Sequence, residues 1–357
     1  MKWRLFFLSW SLVLVAPAQK DSVQRIYGIS AYWGQVFVHT DAVRNIKGAK
    51  PFGVELELAK QQTSFASWNL SSAYVKTGWA LAFFDYNNSI VGHGIIASRF
   101  IEPQYRMGNR LQFLLKASIG AAYLSNPYDV AKNPTNNNYS LHLNPYLHIG
   151  GGFNYHLSRH GSMALIGNFH HISNGNLRQP NKGINWVTGA LSYHYYLDNN
   201  VLPKYNRIYD HFWKHKKTEL AVGVLGVAHQ GYNSKWKAER MSAFGLFAQA
   251  TKQVGRTSAL TAGTEIIFND FVVDKTAQQP ASKTVIGIQG GHVFLLGRVR
   301  FSQQLGYAVY NKLYFLDNFY HRWGLDYQLN RHYSLGVNLK VNSDNADFFD
   351  LRIAYKL

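Results

Sequence analysis

The sequence predicts an all-β fold, a transmembrane antiparallel β-barrel of the outer-membrane type with about 12–16 strands. Three observations lead there. The chain opens on an export signal, it carries long runs in which apolar and polar residues alternate, and it ends on one such run. Period-2 alternation puts successive side chains on opposite faces of a strand.

Composition narrows the class first. The 357 residues include 22 Phe, 23 Tyr and 9 Trp, far more apolar surface than a solvated coil carries. Lys and Arg number 37 against 19 Asp and Glu, a formal charge of +18. That excess calls for an anionic partner: nucleic acid, a membrane surface or a phosphorylated lipid. The absence of Cys excludes a disulfide scaffold, a thiolate zinc site and a cysteine nucleophile.

The N-terminus narrows the partner. Met1-Lys2-Trp3-Arg4 is a basic head, Leu5 to Val15 is apolar apart from Ser9 and Ser11, and Ala16-Pro17-Ala18 supplies small residues for cleavage. This pattern predicts a signal peptide over 1–18. The apolar run falls short of the roughly 20 residues that span a bilayer. Export argues against nucleic acid and leaves the membrane lipids.

The strands follow in chain order. Leu111, Phe113, Leu115, Ala117 and Ile119 alternate mainly with Gln112, Lys116, Ser118 and Gly120. Over 141–156, Leu147, Ile149, Phe153 and Tyr155 oppose His148, Asn154 and His156. Leu191, Tyr193, Tyr195 and Leu197 alternate with Ala190, Ser192, His194 and Tyr196. Tyr333 to Val341 and Leu351 to Leu357 repeat the pattern. A water-soluble sandwich also alternates. Run length, aromatics crowding the strand ends, and closure by an apolar last strand favour the barrel. Turn-rich clusters divide the chain into about eight strands before residue 200 and six to eight after it. No composition shift marks a boundary, so residues 19–357 read as one barrel domain.

The chemistry gathers at Phe169-His170-His171-Ile172-Ser173-Asn174-Gly175 and continues through Arg178-Gln179-Pro180-Asn181-Lys182-Gly183-Ile184-Asn185. His171 and Ser173, two apart, share a strand face with Met163, Leu165 and Phe169, so the pair lies on the lipid-facing stripe. A serine hydroxyl is a weak nucleophile until a base takes its proton, and that base needs a third group to hold its tautomer. The strand ending at Ser173 is the seventh, and if the first strand rises from the periplasm this end is external.

This stretch resembles the outer-membrane lipid A 3-O-deacylase family (acyloxyacyl hydrolases), whose pattern is His-x-Ser-Asn, then Pro-Asn-x-Gly, then an acidic orienter. The match covers about 15 residues. It implies His171 as general base, Ser173 as nucleophile and Asn174, with Gly175, in the oxyanion region. Asn185 stands where that family usually has Glu. The segment also resembles outer-membrane phospholipase A, which uses His-x-Ser-Asn-Gly with an Asn orienter at this separation. The phospholipase's following arginine- and serine-rich run is missing here. The chain is about twice as long as the compact deacylase barrels.

The expected catalytic set is thus His171, Ser173 and Asn185, acting on lipid A of lipopolysaccharide or on a phospholipid in the outer membrane. Arg178 and Lys182 are candidates to hold a lipid phosphate through charge-assisted hydrogen bonds. No His spacing repeats a metal set with carboxylate support, and no cofactor is called for. The competing class is a non-enzymatic barrel, porin-like or adhesin-like, in which the motif is a relic.

Overall fold

In the computed structural model the described residues are 23–198, 202–206, 208, 210–232, 238–269, 283–312, 317–342 and 345–357. The expected signal peptide lies outside them. The described residues form sixteen strands. The first eight are β1 (Val23–Val36), β2 (Phe52–Gln62), β3 (Tyr74–Asp85), β4 (His93–Arg106), β5 (Leu111–Leu124), β6 (Leu143–His156), β7 (Gly161–Ile172) and β8 (Ile184–Tyr196). The second eight are β9 (Glu219–Tyr232), β10 (Ala238–Gln253), β11 (Ser258–Asn269), β12 (Thr284–Leu296), β13 (Val299–Asn311), β14 (Phe319–Gln328), β15 (Tyr333–Asn342) and β16 (Asn345–Lys356).

Every sequential pair within each set is antiparallel, but the strands close twice rather than once. Strand β8 returns to β1, with Ile26 opposite Tyr196 and Val36 opposite Trp186. Strand β16 returns to β9, with Leu351 opposite Gly226 and Lys356 opposite Ala221. The outer-membrane-type, all-β fold stands as the alternation predicts, and the strands lie within the expected range. The single barrel domain over 19–357 does not. Alternation reports which face a residue takes and carries no information on which strand closes the sheet. The polar stretch after Asp198 is therefore a connection between two closed barrels.

Alternation sets the faces as expected. Trp33, Leu56, Leu81, Leu165 and Leu191 are exposed on the outside of the first barrel, as are Val224, Leu246, Ile288 and Ile353 on the second. These outward stripes suit lipid, and closure leaves no strand edge unpaired in the hydrocarbon. The lumen of the first barrel is filled. At its β1–β2 end, Tyr32, Phe84, Tyr86, Tyr146, Ile166 and Trp186 pack together. Elsewhere in the lumen Lys116 Nζ lies 2.8 Å from Glu55 and 2.5 Å from Glu57, and Lys76 Nζ lies 2.9 Å from Glu102. The second barrel has its own inner network, in which Arg322 meets Glu265 and Asp350.

The loops after β1, β3, β5 and β7 gather at one rim. The barrels touch there, where Asn176 Nδ2 donates to the Asp347 carbonyl at 3.2 Å. They touch again at the opposite rim, where Arg256 donates to the Asn69 carbonyl at 3.1 Å.

Candidate active site

Strand β7 is the seventh, and its burial alternates residue by residue, placing Met163, Leu165 and Phe169 outside and Ala164, Ile166 and His170 inside. His171 continues the outer stripe. Ser173 lies one residue past the strand but keeps the same side, its N–H still reaching the carbonyl of Pro145 in the neighbouring strand β6 at 3.4 Å. In the β7–β8 hairpin His171 pairs directly with Asn185. Direct cross-strand partners share a face with Cβ atoms about 5 Å apart. Register alone therefore brings an imidazole and an amide into contact.

The side chains use that proximity. Ser173 Oγ is 3.0 Å from His171 Nε2, and His171 Nδ1 is 2.5 Å from Asn185 Oδ1. With the ring proton on Nδ1, that nitrogen donates to the amide oxygen and Nε2 accepts from the hydroxyl. All three residues are partly open at the outer surface. The structure thus brings together the three residues expected to act as a set.

Such a relay is not by itself a site, and the same barrel holds a second one. Ser118 Oγ lies 2.9 Å from His148 Nδ1, and His148 Nε2 lies 2.9 Å from Asn168 Oδ1. All three are buried in the lumen, where their hydrogen bonds satisfy polar groups that closure removes from water. The two relays differ in ring orientation, Ser118 meeting Nδ1 where Ser173 meets Nε2, and in access. Of the two serines, Ser173 is the one on the outer face of the barrel.

The connecting loop is locked by the residues of the Pro-Asn-x-Gly run. Asn181 Oδ1 accepts the Asn174 N–H at 2.9 Å. The Lys182 and Gly183 N–H groups donate to the Asn137 and Asn138 carbonyls at 2.9 and 2.8 Å. Gly183 has φ +76°, and a Cβ there would stand 3.1 Å from His171 Cε1 and 3.4 Å from Ser173 Cβ. Only glycine allows both the left-handed turn and the close approach to the dyad.

Asn174 corrects an expectation. It is 1% exposed, and its amide donates inward to Ser140 Oγ at 3.3 Å and to the Arg178 carbonyl at 2.8 Å. With its N–H taken by Asn181, its donors anchor the loop instead of facing an oxyanion. Gly175 follows at φ +62°, against Phe349 of the second barrel. Arg178 and Lys182 are exposed on the same loop.

Sequence reasoning missed His39. It lies past the end of β1, where Phe37 N–H still pairs with the Asn185 carbonyl at 2.8 Å. His39 Nδ1 is 3.0 Å from Asn185 Nδ2, and its Nε2 is 2.9 Å from the Lys182 carbonyl. No spacing rule links residues 146 positions apart. The signal was the closure of β1 on β8, which places 39 beside the 182–185 segment.

Comparison with known proteins agrees with the motif. Residues 52–194 match the family model of lipid A 3-O-deacylase (PagL), and residues 217–357 match that of the acyloxyacyl hydrolase C-terminal domain. No curated protein matches the chain. Among solved structures, the outer membrane enzyme PagL is 19% identical, covering 46% of this chain and 97% of that one at a TM-score of 0.34. The N-terminal β-barrel domain of Pseudomonas aeruginosa OprF is 15% identical, covering 49% and 99% at a TM-score of 0.29. The first barrel thus matches the lipid A 3-O-deacylase family, and the second matches the acyloxyacyl hydrolase C-terminal domain.

Proposed function

We propose that this outer-membrane protein is a serine esterase that removes one ester-linked acyl chain from lipid A. One observation carries the reading: a serine hydroxyl hydrogen-bonded to an oriented imidazole on the lipid-facing side of a barrel, at the loop rim. A polar relay on that side is costly in a bilayer unless it acts on something there. The filled lumen of the first barrel argues against a pore.

Ser173 Oγ attacks the acyl carbonyl while His171 Nε2 takes its proton. The tetrahedral intermediate collapses, the ester C–O bond breaks, and His171 returns the proton to the departing lipid A hydroxyl. Water, deprotonated by the same nitrogen, then releases the fatty acid and restores Ser173. Asn185 holds the Nδ1–H tautomer throughout. It does not offset the imidazolium charge as a carboxylate does. The Gly175 N–H, on the turn beyond the nucleophile, is the candidate donor to the oxyanion. Arg178 and Lys182 are candidates for the glucosamine phosphates of the substrate.

The amide at 185 favours a second reading, hydrolysis of glycerophospholipid, since outer-membrane phospholipase A resembles the site in that residue. One assay decides. Purified protein in detergent is given lipid A and diacyl phospholipid in parallel, and products are read by mass spectrometry. Loss of one hydroxyacyl chain from lipid A is expected. Ser173→Ala and His171→Ala should each lower it by at least about 10⁴-fold, since nucleophile and base act as a unit. Release from phospholipid alone would replace the substrate. Hydrolysis of neither lipid by a Ser173-dependent route would end the esterase reading.

A further inference from the structure

We propose that His39 is a positioning residue of this site, which fixes the end of the Asn185 amide that faces His171. The inference rests on the esterase reading and deepens it.

An amide has two ends of nearly equal size and opposite hydrogen-bonding character. If Asn185 turns over, its Nδ2 faces His171 and donates to Nδ1. The imidazole must then carry its proton on Nε2, pointing at Ser173 Oγ. In that state the base holds a proton where it should accept one, and the serine is not activated. A carboxylate orienter has two equivalent oxygens and needs no such control. An asparagine does.

His39 supplies the control through a chain with one consistent direction. The Lys182 carbonyl can only accept, so the His39 nitrogen 2.9 Å from it, Nε2, carries the proton. A neutral ring then leaves Nδ1 as a bare acceptor. The Asn185 atom 3.0 Å from that acceptor must be the donating Nδ2. Its Oδ1 is left for His171 Nδ1 at 2.5 Å, and His171 Nε2 is left to accept from Ser173 at 3.0 Å. Starting from one backbone carbonyl, every donor and acceptor up to the nucleophile is assigned.

The local structure holds His39 for this task. The Phe37 N–H pairs with the carbonyl of Asn185 itself at 2.8 Å, so the chain carrying His39 is tied to the residue it orients. The Gly183 N–H bond to the Asn138 carbonyl at 2.8 Å steadies the segment that presents the Lys182 carbonyl.

The test is a substitution cycle read in kcat and KM on lipid A, with an NMR arm that needs no turnover. His39→Ala should lower kcat about fivefold or more, by admitting the wrong tautomer, with KM held within about twofold. His39→Asn places an acceptor where Nδ1 stood and should restore at least half of kcat, whereas His39→Gln should not. In an Asn185→Asp background the orienter no longer has a wrong end, so His39→Ala should cost less than about twofold. In uniformly 15N-labelled protein the His171 ring should be in the Nδ1–H form, and that population should fall in His39→Ala. Equal losses in both backgrounds would make His39 a structural residue and overturn the proposal. So would an unchanged His171 tautomer in His39→Ala. Failure of the wild-type protein to cleave lipid would count against the esterase reading, while the NMR arm would still judge the role of His39.

Discussion

His171 and Asn185 are direct cross-strand partners on the outside of the β7–β8 hairpin, with Nδ1 and Oδ1 2.5 Å apart. The partner is an amide where the resembling deacylases have a carboxylate, so orientation is retained and charge compensation is lost. Separating the two contributions is the most informative measurement on this site.

Asn185→Ala removes orientation and should lower kcat by about 10²-fold, the lower end of what positioned acid–base groups contribute. That is a smaller loss than removing Ser173 or His171. Asn185→Glu adds a negative charge beside the imidazolium and should match or exceed the native rate. A rate below that of Asn185→Ala would show that the pocket cannot hold a carboxylate. Steady-state kinetics on lipid A in detergent reads both.

Ser118 is also hydrogen-bonded to a histidine, 2.9 Å from His148 Nδ1, but inside the lumen. Ser118→Ala should leave lipid hydrolysis within about twofold of native and lower stability by about 1 kcal/mol, the value of a typical hydrogen bond. Loss of lipid hydrolysis with an intact barrel would mean that the lumen takes part in the chemistry.

The inner ions give a stability prediction. Lys116 is buried between Glu55 and Glu57, and Glu55 also accepts from Tyr32 Oη at 2.9 Å. Lys116→Met leaves Glu55 without a cation partner in the lumen and should destabilise the first barrel by about 3–5 kcal/mol. Pairing it with Glu55→Gln should recover a large part of that loss. Denaturant midpoints in detergent measure both.

Much of this was legible in the residues. The parity of Met163, Leu165, Phe169 and His171 placed the dyad on the outer face, because strand faces follow directly from a two-residue period. The strands ending at Leu124, His156 and Tyr196 fell where alternation broke into turn residues. Three things were not legible, and one cause covers two of them. Closure of β8 on β1 is a long-range pairing, so neither the split into two barrels nor the arrival of His39 beside Asn185 leaves a local mark. The third is Asn174. A residue just past a strand points wherever the loop folds, and Asn181, seven positions on, decides it.

The double closure supports a last prediction. In the first barrel β1 and β8 pair over eleven positions, from Ile26–Tyr196 to Val36–Trp186, leaving no open edge. Ser173, His171, Asn185, His39 and the Lys182 carbonyl all lie within it. A chain of residues 19–198 should therefore refold in detergent as a closed barrel, migrating faster on gels before boiling than after. It should also retain hydrolysis that depends on Ser173. The second barrel contributes Phe349 against Gly175 and the Asp347 carbonyl to Asn176. Removing these contacts frees the loop next to the nucleophile. A moderate loss of kcat, about threefold to tenfold, is expected from that loosening, given how steeply rate falls with misplaced groups. A truncated chain that folds but shows no hydrolysis would make the second barrel part of the active site. One that does not fold would show that the first barrel depends on its neighbour for stability.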